Sequence, residues 1–174
     1  MSMELKSIFI KLQNNDQSYF DTFYQLTKKQ VFYNIVSIVK NYDLSEDILQ
    51  ETYIQFLKNI NKIKDENKAI GYLMTTSRNL SYDYFKKHNR IVELENDYLI
   101  GEEDANKVDE EILIKKIRNI LNDNEFRIFI LHVLSELTFE EIKKIVHKPI
   151  GTITWTYMNS LKKIRKEIKN EQQR

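Results

Sequence analysis

The feature that most limits the folds open to this chain is its lack of turn-forming residues. Only three glycines and one proline occur among 174 residues. Sandwiches and barrels join many short strands through turns rich in these two residues, so this composition disfavours both folds. With 41% hydrophobic residues the chain is long enough and apolar enough to bury at least one core. We therefore predict an all-α protein.

Several classes of site and location are disfavoured by what the sequence lacks. The chain has no cysteine, so disulfides and thiolate–metal sites are excluded. His88, His132 and His147 lie far apart, and neither a phosphate loop nor a nucleophile elbow is present. No apolar run has the length of a signal peptide or a membrane span. We expect a cytoplasmic protein that is not an enzyme, with no membrane insertion, metal or cofactor.

Charge is distributed unevenly along the chain, although the formal net charge is only +1. Residues 93–111 carry nine acidic side chains against Lys107 alone. Residues 143–174 carry nine basic side chains against two glutamates. The near-neutral total therefore hides an acidic middle and a basic C-terminal part, and the basic part is a candidate for binding nucleic acid.

Apolar residues recur at helical spacing in two separate parts of the chain. Up to about residue 90 they form three stripes, which predict a helix bundle. The periodicity fades at 92–107, which we interpret as an acidic linker. The helical periodicity then resumes. Two pairs in this part match the pattern of capping boxes, which start helices: Asn122 with Glu125, and Thr138 with Glu141. The three stripes are Phe20, Phe23, Tyr24, Thr27, Val31, Ile35 and Ile38; Ile48, Leu49, Thr52, Tyr53, Phe56, Leu57 and Ile60; and Tyr72, Leu73, Leu80, Tyr84 and Phe85.

The last part of the chain has the pattern of a helix-turn-helix. A short helix after Thr138 ends near Pro149, and a longer basic helix begins near Ile150. At 100° per residue its apolar side chains share one face, so the only Trp in the chain points away from the core. Neutral polar side chains on that outer face suit base reading, and the lysines one turn later suit phosphate contacts. The inner face carries Ile153, Tyr157, Leu161, Ile164 and Ile168, and the outer face carries Thr152, Trp155, Asn159, Lys162 and Lys166. Packing of Trp155 against a partner or the linker is the alternative.

A second constellation lies in the first half, in the stretch "SEDILQETYIQFL" at 45–57. Ser45 is a candidate N-cap. Asp47, Gln50 and Glu51 are three and four residues apart and form a polar patch opposite the apolar face. On spacing alone an ordinary solvated face is the preferred interpretation. The stretch resembles, however, the second helix of the sigma-2 domain in the sigma-70 family, particularly the extracytoplasmic-function (ECF) branch. The resemblance implies that Asp47, Gln50 and Glu51 bind the clamp coiled coil of the large subunit of core RNA polymerase.

Two further stretches resemble the same family. Residues 70–90, "IGYLMTTSRNLSYDYFKKHNR", resemble the helix that melts the promoter and reads its start-proximal element. The positions that match are Tyr72, Arg78, Asn79, Asp83, Lys86, Lys87 and Arg90. Residues 121–168 resemble the sigma-4 domain, which reads the upstream element. Relatives commonly carry Lys-Ser-Arg where this chain has Thr154, Trp155 and Thr156, so upstream specificity does not transfer from them.

The resemblance implies two small helical domains, a sigma-2-like domain at 1–91 and a sigma-4-like domain at 108–174, joined by the linker at 92–107. The expected partners are core RNA polymerase, promoter DNA and an anti-sigma factor. The expected readers of the upstream element are Thr152, Thr154, Trp155, Thr156 and Asn159, with Lys162, Lys163 and Lys166 on phosphates. The linker is expected either to mimic nucleic acid in the polymerase cleft or to serve as a tether. Two alternative functions stay open: a helix-turn-helix regulator that forms no holoenzyme, and a sigma-like chain that occupies polymerase without recognising promoters.

Overall fold

Helices make up nearly all of the regular structure in a computed structural model of the chain, which describes residues 3–88 and 105–172. Within these ranges there is no strand, and the prediction of an all-α fold is confirmed. No helix in these ranges is both long and apolar enough to cross a bilayer. The expected linker lies outside the described residues except for its last three, which are helical. The α-helices are α1 (Met3–Gln13), α2 (Phe20–Val39), α3 (Tyr42–Asn59), α4 (Ala69–His88), α5 (Ala105–Ile120), α6 (Asp123–Val133), α7 (Phe139–Val146) and α8 (Ile150–Gln172).

The starts of the C-terminal helices are fixed by the capping boxes that the sequence predicts. The Asn122 side chain accepts a hydrogen bond from the Glu125 backbone N–H at 3.0 Å, and the Glu125 carboxylate accepts one from the Asn122 N–H at 3.0 Å. Thr138 and Glu141 make the same reciprocal pair at the start of α7. His147 then ends α7 in the left-handed conformation, with φ of 54°. Both capping boxes and the end of α7 are therefore confirmed.

The cap predicted at Ser45 is wrong. Helix α3 begins at Tyr42, and the Asn41 side chain accepts the hydrogen bond of the Leu44 backbone N–H at 3.0 Å. Ser45 is fully buried inside the first turns, and its hydroxyl donates to the Asn41 carbonyl at 2.5 Å. Asn41 caps as well as serine does, so its extended backbone, with ψ of 128°, starts the helix earlier.

Removing one of the confirmed caps should destabilise the protein measurably. Replacing Asn122 by alanine leaves the Glu125 N–H without its side-chain acceptor, and we expect a loss of about 0.5–2 kcal/mol in the free energy of unfolding. Urea titration followed by circular dichroism measures this loss. Asn119→Ala is the matched control, because Asn119 is exposed inside α5 and its replacement should change stability by less than about 0.5 kcal/mol.

The first four helices enclose a core of aromatic rings. Phe23 and Phe56 stack with their ring centres 5.1 Å apart, and Phe9 lies 6.1 Å from Phe56. All three side chains are fully buried. A polar pair is buried beside them, in which the Thr27 and Tyr53 hydroxyls share a 2.6 Å hydrogen bond. Burial raises the pKa of Tyr53 far above its ordinary value, so the phenol stays protonated.

The second half packs around α6, and its buried residues belong to the same hydrophobic cluster as those of the first half. Ile142 of α7 and Ile153 of α8 are fully buried beneath α6, as the inner face predicted for the last helix requires. His132 stacks on Phe139 with ring centres 4.3 Å apart, and its Nδ1 lies 2.8 Å from the Leu137 carbonyl oxygen. The histidine is thus hydrogen-bonded within an aromatic cluster.

Helix α2 is buried on all sides over residues 31–38, where the sequence predicted a single apolar stripe. Helices α3 and α4 from the first half and α6 from the second half all pack against α2. Ile128 and Ile130 of α6 are almost fully buried in the same continuous core. The two halves of the chain are therefore packed against each other through α2 and α6.

Candidate protein- and nucleic-acid-binding surfaces

The polar patch predicted on α3 is present as one exposed face. Asp47, Gln50 and Glu51 are all exposed, and Ile48 and Leu49 between them are buried in the core. Thr52 belongs to the buried side, where its hydroxyl donates to the Ile48 carbonyl at 2.7 Å. The Gln55 side chain donates to the Glu51 carboxylate at 3.2 Å, which orients one member of the patch. The three residues thus form a rigid helical surface with two negative charges.

The residues matched to the start-proximal element lie along α4, as far as the structure describes them. Asn79 and Lys86 are exposed, whereas Tyr72 is half-buried with its ring centre 6.2 Å from that of Phe56. Arg78 is also half-buried, and its Nη1 lies 3.2 Å from Nε2 of His147 in the turn of the helix-turn-helix. The structure does not describe the Lys87 side chain, and Arg90 lies outside the described residues.

Tyr82 is not among the site residues predicted from the sequence, although it lies on the same exposed face of α4. It follows Asn79 by three residues and precedes Lys86 by four, and its side chain is 40% exposed. Its hydroxyl accepts a hydrogen bond from Nη1 of Arg127 in α6 at 3.1 Å. The helical spacing from Asn79 was the signal that could have identified it. The contact with α6 could not have been read from the sequence.

The outer face of α8 is largely as predicted. Trp155 is 67% exposed, and Thr152, Lys162 and Lys166 are exposed around it. Asn159 is half-buried on the same face. Thr154 is half-buried as well, and its hydroxyl donates to the Ile150 carbonyl at 3.0 Å. A threonine hydroxyl that donates to its own helix still has lone pairs that accept from a base or a water.

Two side chains expected to contact DNA are placed otherwise. Thr156 is only 8% exposed, and its hydroxyl donates to the Thr152 carbonyl at 2.8 Å, because position 156 adjoins the inner face set by Ile153 and Tyr157. Lys163 points to α6, where its Nζ lies 2.7 Å from the buried carboxylate of Glu125. Thr156 has almost no surface to offer a base, whereas the Lys163 side chain is paired with Glu125 and is still 48% exposed.

An all-helical bundle followed by a capped helix-turn-helix, with an exposed Trp and lysines on its last helix, is an arrangement typical of DNA-binding proteins of transcription. Residues 23–91 match the family model described as Sigma-70 region 2. The ECF RNA polymerase sigma factor SigM of Bacillus subtilis (strain 168) is 30% identical over 134 residues, which cover 73% of this chain and 81% of SigM. SigW of the same organism is 22% identical over an alignment of 192 residues, and this alignment covers 98% of this chain and all of SigW.

The chain therefore belongs to the sigma-70 family of RNA polymerase sigma factors, in its ECF branch. It is a promoter-specificity factor for transcription initiation. A stand-alone helix-turn-helix regulator, which needs only the C-terminal half, is not favoured, because the family match lies in the first half of the chain.

Proposed function

We propose that this sigma factor binds polymerase and promoter DNA through three separate surfaces. The exposed face of α3 docks on the clamp coiled coil of core RNA polymerase. The exposed face of α4 holds the start-proximal element, and the outer face of α8 reads the upstream element. The first two surfaces belong to a domain at 1–91 and the third to a domain at 108–174, with the acidic segment between them. The protein acts in the cytoplasm, where it meets polymerase, and has no catalytic activity of its own.

The observation that carries this proposal is the exposure of the α3 face. Asp47, Gln50 and Glu51 are directed to solvent, whereas Ile48, Leu49 and Thr52 beside them are buried, so binding a partner would not require the helix to repack. A solvated face explains the exposure equally well. The acid–aliphatic–aliphatic–Gln–Glu order and the membership in the sigma family favour docking instead.

Site-directed cleavage tests where the α3 face lies on polymerase. The chain has no cysteine, so Gln50→Cys gives a single thiol that can carry an iron chelate and cut nearby backbone. We expect cuts in the clamp coiled coil of the large subunit. Gln25→Cys is the matched control, since Gln25 is equally exposed but lies on α2. The same cutting pattern from both positions, or cuts only outside the clamp, would contradict the docking.

On the α8 surface, the proposed readers are Thr152, Thr154, Trp155 and Asn159. The buried Thr156 is left out. Lys162 and Lys166 are proposed to contact phosphates. Lys163 is left out because its ammonium group is paired with the Glu125 carboxylate. The Trp155 indole is large enough to cover a deoxyribose or a thymine methyl group, and its high exposure makes it the residue with the most surface to bury on DNA. Base contacts set the specificity, and the lysines add affinity that falls with salt.

Two variants of α8 should affect DNA binding in different ways. In the reconstituted holoenzyme, Trp155→Ala should weaken binding to a cognate promoter by about 1–3 kcal/mol and affect unrelated DNA much less. Lys162→Ala should weaken binding to every sequence alike and reduce the slope of log K against log salt by about 1. Filter binding at several salt concentrations measures both the loss of affinity and the change in the salt slope. Equal losses on cognate and unrelated DNA for Trp155→Ala would argue against a reading role.

An anti-sigma factor completes the proposed set of partners. Membership in the ECF branch supports it, because sigma factors of this branch are commonly restrained by such proteins. Co-purification of the tagged chain from the cells that produce it, followed by mass spectrometry, tests this partner. The expected result is a protein that competes with core polymerase for the chain. Recovery of polymerase subunits with no such competitor would remove the anti-sigma factor from the proposal.

A further inference from the structure

The outer face of α8 begins with a neutral, largely apolar stripe that precedes its lysines. Gly151, Trp155 and Met158 follow one another at steps of four and three residues, and Lys162 continues the stripe after a further four. At 100° per residue these four positions lie within about 60° of one another. Gly151 and Trp155 are exposed, and Met158 is 50% exposed. The first turns of the helix thus present mainly carbon atoms, and not charge, to a partner.

The first three turns of α8 contain no lysine or arginine. Residues 149–161 carry no charged side chain at all. Lys148, which precedes them, is half-buried, and its Nζ donates to the Asn124 side-chain oxygen at 2.9 Å. Guanine is read most often by a bidentate arginine or lysine, whose donors match its O6 and N7 acceptors. Because the N-terminal residues of a recognition helix are those that contact base edges, this stripe is poorly suited to guanine.

Thymine is the base that such a stripe suits. Its C5-methyl group projects into the major groove and packs against apolar side chains. Trp155 offers an exposed indole and Met158 an exposed thioether, which adapts its shape to the surface it meets. Asn159 is half-buried on the same face, and its amide can bind N6 and N7 of adenine. Apolar contacts and an amide together suit A·T pairs.

Gly151 adds a second, independent observation. Apart from its chain neighbours and its own helix backbone, no atom lies within 4 Å of the position that a Cβ would take there. Its φ is not positive, so neither packing within the protein nor backbone conformation requires glycine. Glycine is also less favourable than alanine inside a helix. The open position does, however, let an external group such as a base edge approach the helix backbone closely.

We infer that the stripe of Gly151, Trp155 and Met158 recognises thymine methyl groups in the major groove, so that the upstream element is selected for A·T pairs and not for guanine. The inference rests on the proposed function of α8 and specifies which bases this helix recognises. A protein partner is the competing occupant of an apolar stripe. Charge favours DNA, because residues 162–169 carry five basic side chains against Glu167 alone, and these suit the phosphates beside the groove.

Removing the methyl group from thymine tests this inference. Holoenzyme reconstituted from core polymerase and the chain would first select duplexes from a pool randomised over the upstream and start-proximal windows. The selected duplexes are then resynthesised with deoxyuridine in place of thymine in the upstream window alone, which keeps the base pairing and removes only the methyl groups. Burial of one methyl group corresponds to about fourfold in affinity, so the loss of two such contacts should weaken binding by about tenfold or more.

A variant of the stripe should abolish this effect. Holoenzyme with Trp155→Ala, Met158→Ala should bind the thymine and deoxyuridine duplexes alike, because the side chains that cover the methyl groups are gone. Met3→Ala is the matched control, since Met3 is an exposed methionine on α1, and it should keep the full preference for thymine. Equal binding of the two duplexes by the parent holoenzyme, or selected upstream windows dominated by guanine, would overturn the inference.

The same data separate this inference from the proposed function of α8. If the parent selects no upstream sequence, or if the double variant selects the same sequence and keeps the preference for thymine, α8 does not read the element and both proposals fail. If the double variant loses the selection but the parent binds the deoxyuridine duplex equally well, α8 reads the element through other contacts. Only the recognition of thymine methyl groups then fails.

Gly151→Ala should weaken DNA binding without loss of folding. In the free chain the added methyl group enters open space, so the urea midpoint of unfolding should stay the same or rise. On DNA it stands between the helix backbone and the base edge, so affinity for the selected duplex should fall by at least about threefold. Unchanged or tighter binding by a folded Gly151→Ala holoenzyme would overturn the close approach at this position.

Discussion

The double substitution Gln50→Ala, Glu51→Ala should weaken binding to core RNA polymerase by at least about tenfold, or about 1.4 kcal/mol. Both side chains are exposed on α3. Truncating them removes an amide and a carboxylate that can bind polar groups of a partner, and leaves the buried side of the helix intact. The loss should therefore come from the interface alone. Titration of fluorescently labelled chain with purified core polymerase measures it.

The control for this result is a second double variant, Asp21→Ala with Gln25→Ala. It removes one acid and one glutamine from exposed positions on α2, and so changes the net charge and the number of amides equally. Circular dichroism and urea titration should show all three chains equally folded. Equal weakening by the two double variants would show that charge in general, and not the α3 face, governs the affinity.

Replacing Phe56 by alanine should destabilise the chain by about 3–5 kcal/mol. Phe56 is fully buried, stacks on Phe23, and contacts Phe9 and Tyr72, so its removal leaves a cavity at the centre of the first half. A loss of this size is a large part of the total stability of a small protein, and it can leave a substantial fraction unfolded at physiological temperature. The midpoint of urea unfolding measures the change.

Leu57→Ala is the matched control for the core substitution. Leu57 is the next residue in the same helix and belongs to the apolar stripe predicted from the sequence, yet it is 41% exposed. Because it loses much less buried surface, we expect a change below about 1 kcal/mol. Similar losses for the two variants would mean that α3 is packed in a different rotation, and this would also undermine the assignment of its exposed face.

Local features of this chain could be predicted from the sequence because they depend on nearby residues. The capping boxes at Asn122 and Thr138 and the exposed Trp155 follow from spacings of three and four residues, which fix helix starts and faces. Ser45 failed as a cap because Asn41, a few residues earlier, competes for the same role. Two nearby cap residues of similar quality cannot be ranked from propensity alone.

Contacts between the two halves could not be predicted, since they pair residues far apart in the chain. The burial of α2 on every side depends on α6, and its own apolar stripe gave no sign of a second partner. Lys163 was expected at a phosphate, but the buried Glu125 lies 38 residues earlier and pairs with it. The contact of Arg78 with His147 could not be predicted either, because these two residues are also far apart in the chain.

The central claim is that the chain makes core polymerase start transcription at particular promoters, and start-site mapping tests it most directly. Purified core polymerase would transcribe genomic DNA of the source organism with and without the chain, and the 5′ ends of the transcripts would be sequenced. We predict discrete new start sites that share an upstream and a start-proximal element, and that disappear with the Gln50→Ala, Glu51→Ala chain. A folded chain that binds the DNA but adds no start sites would contradict the account.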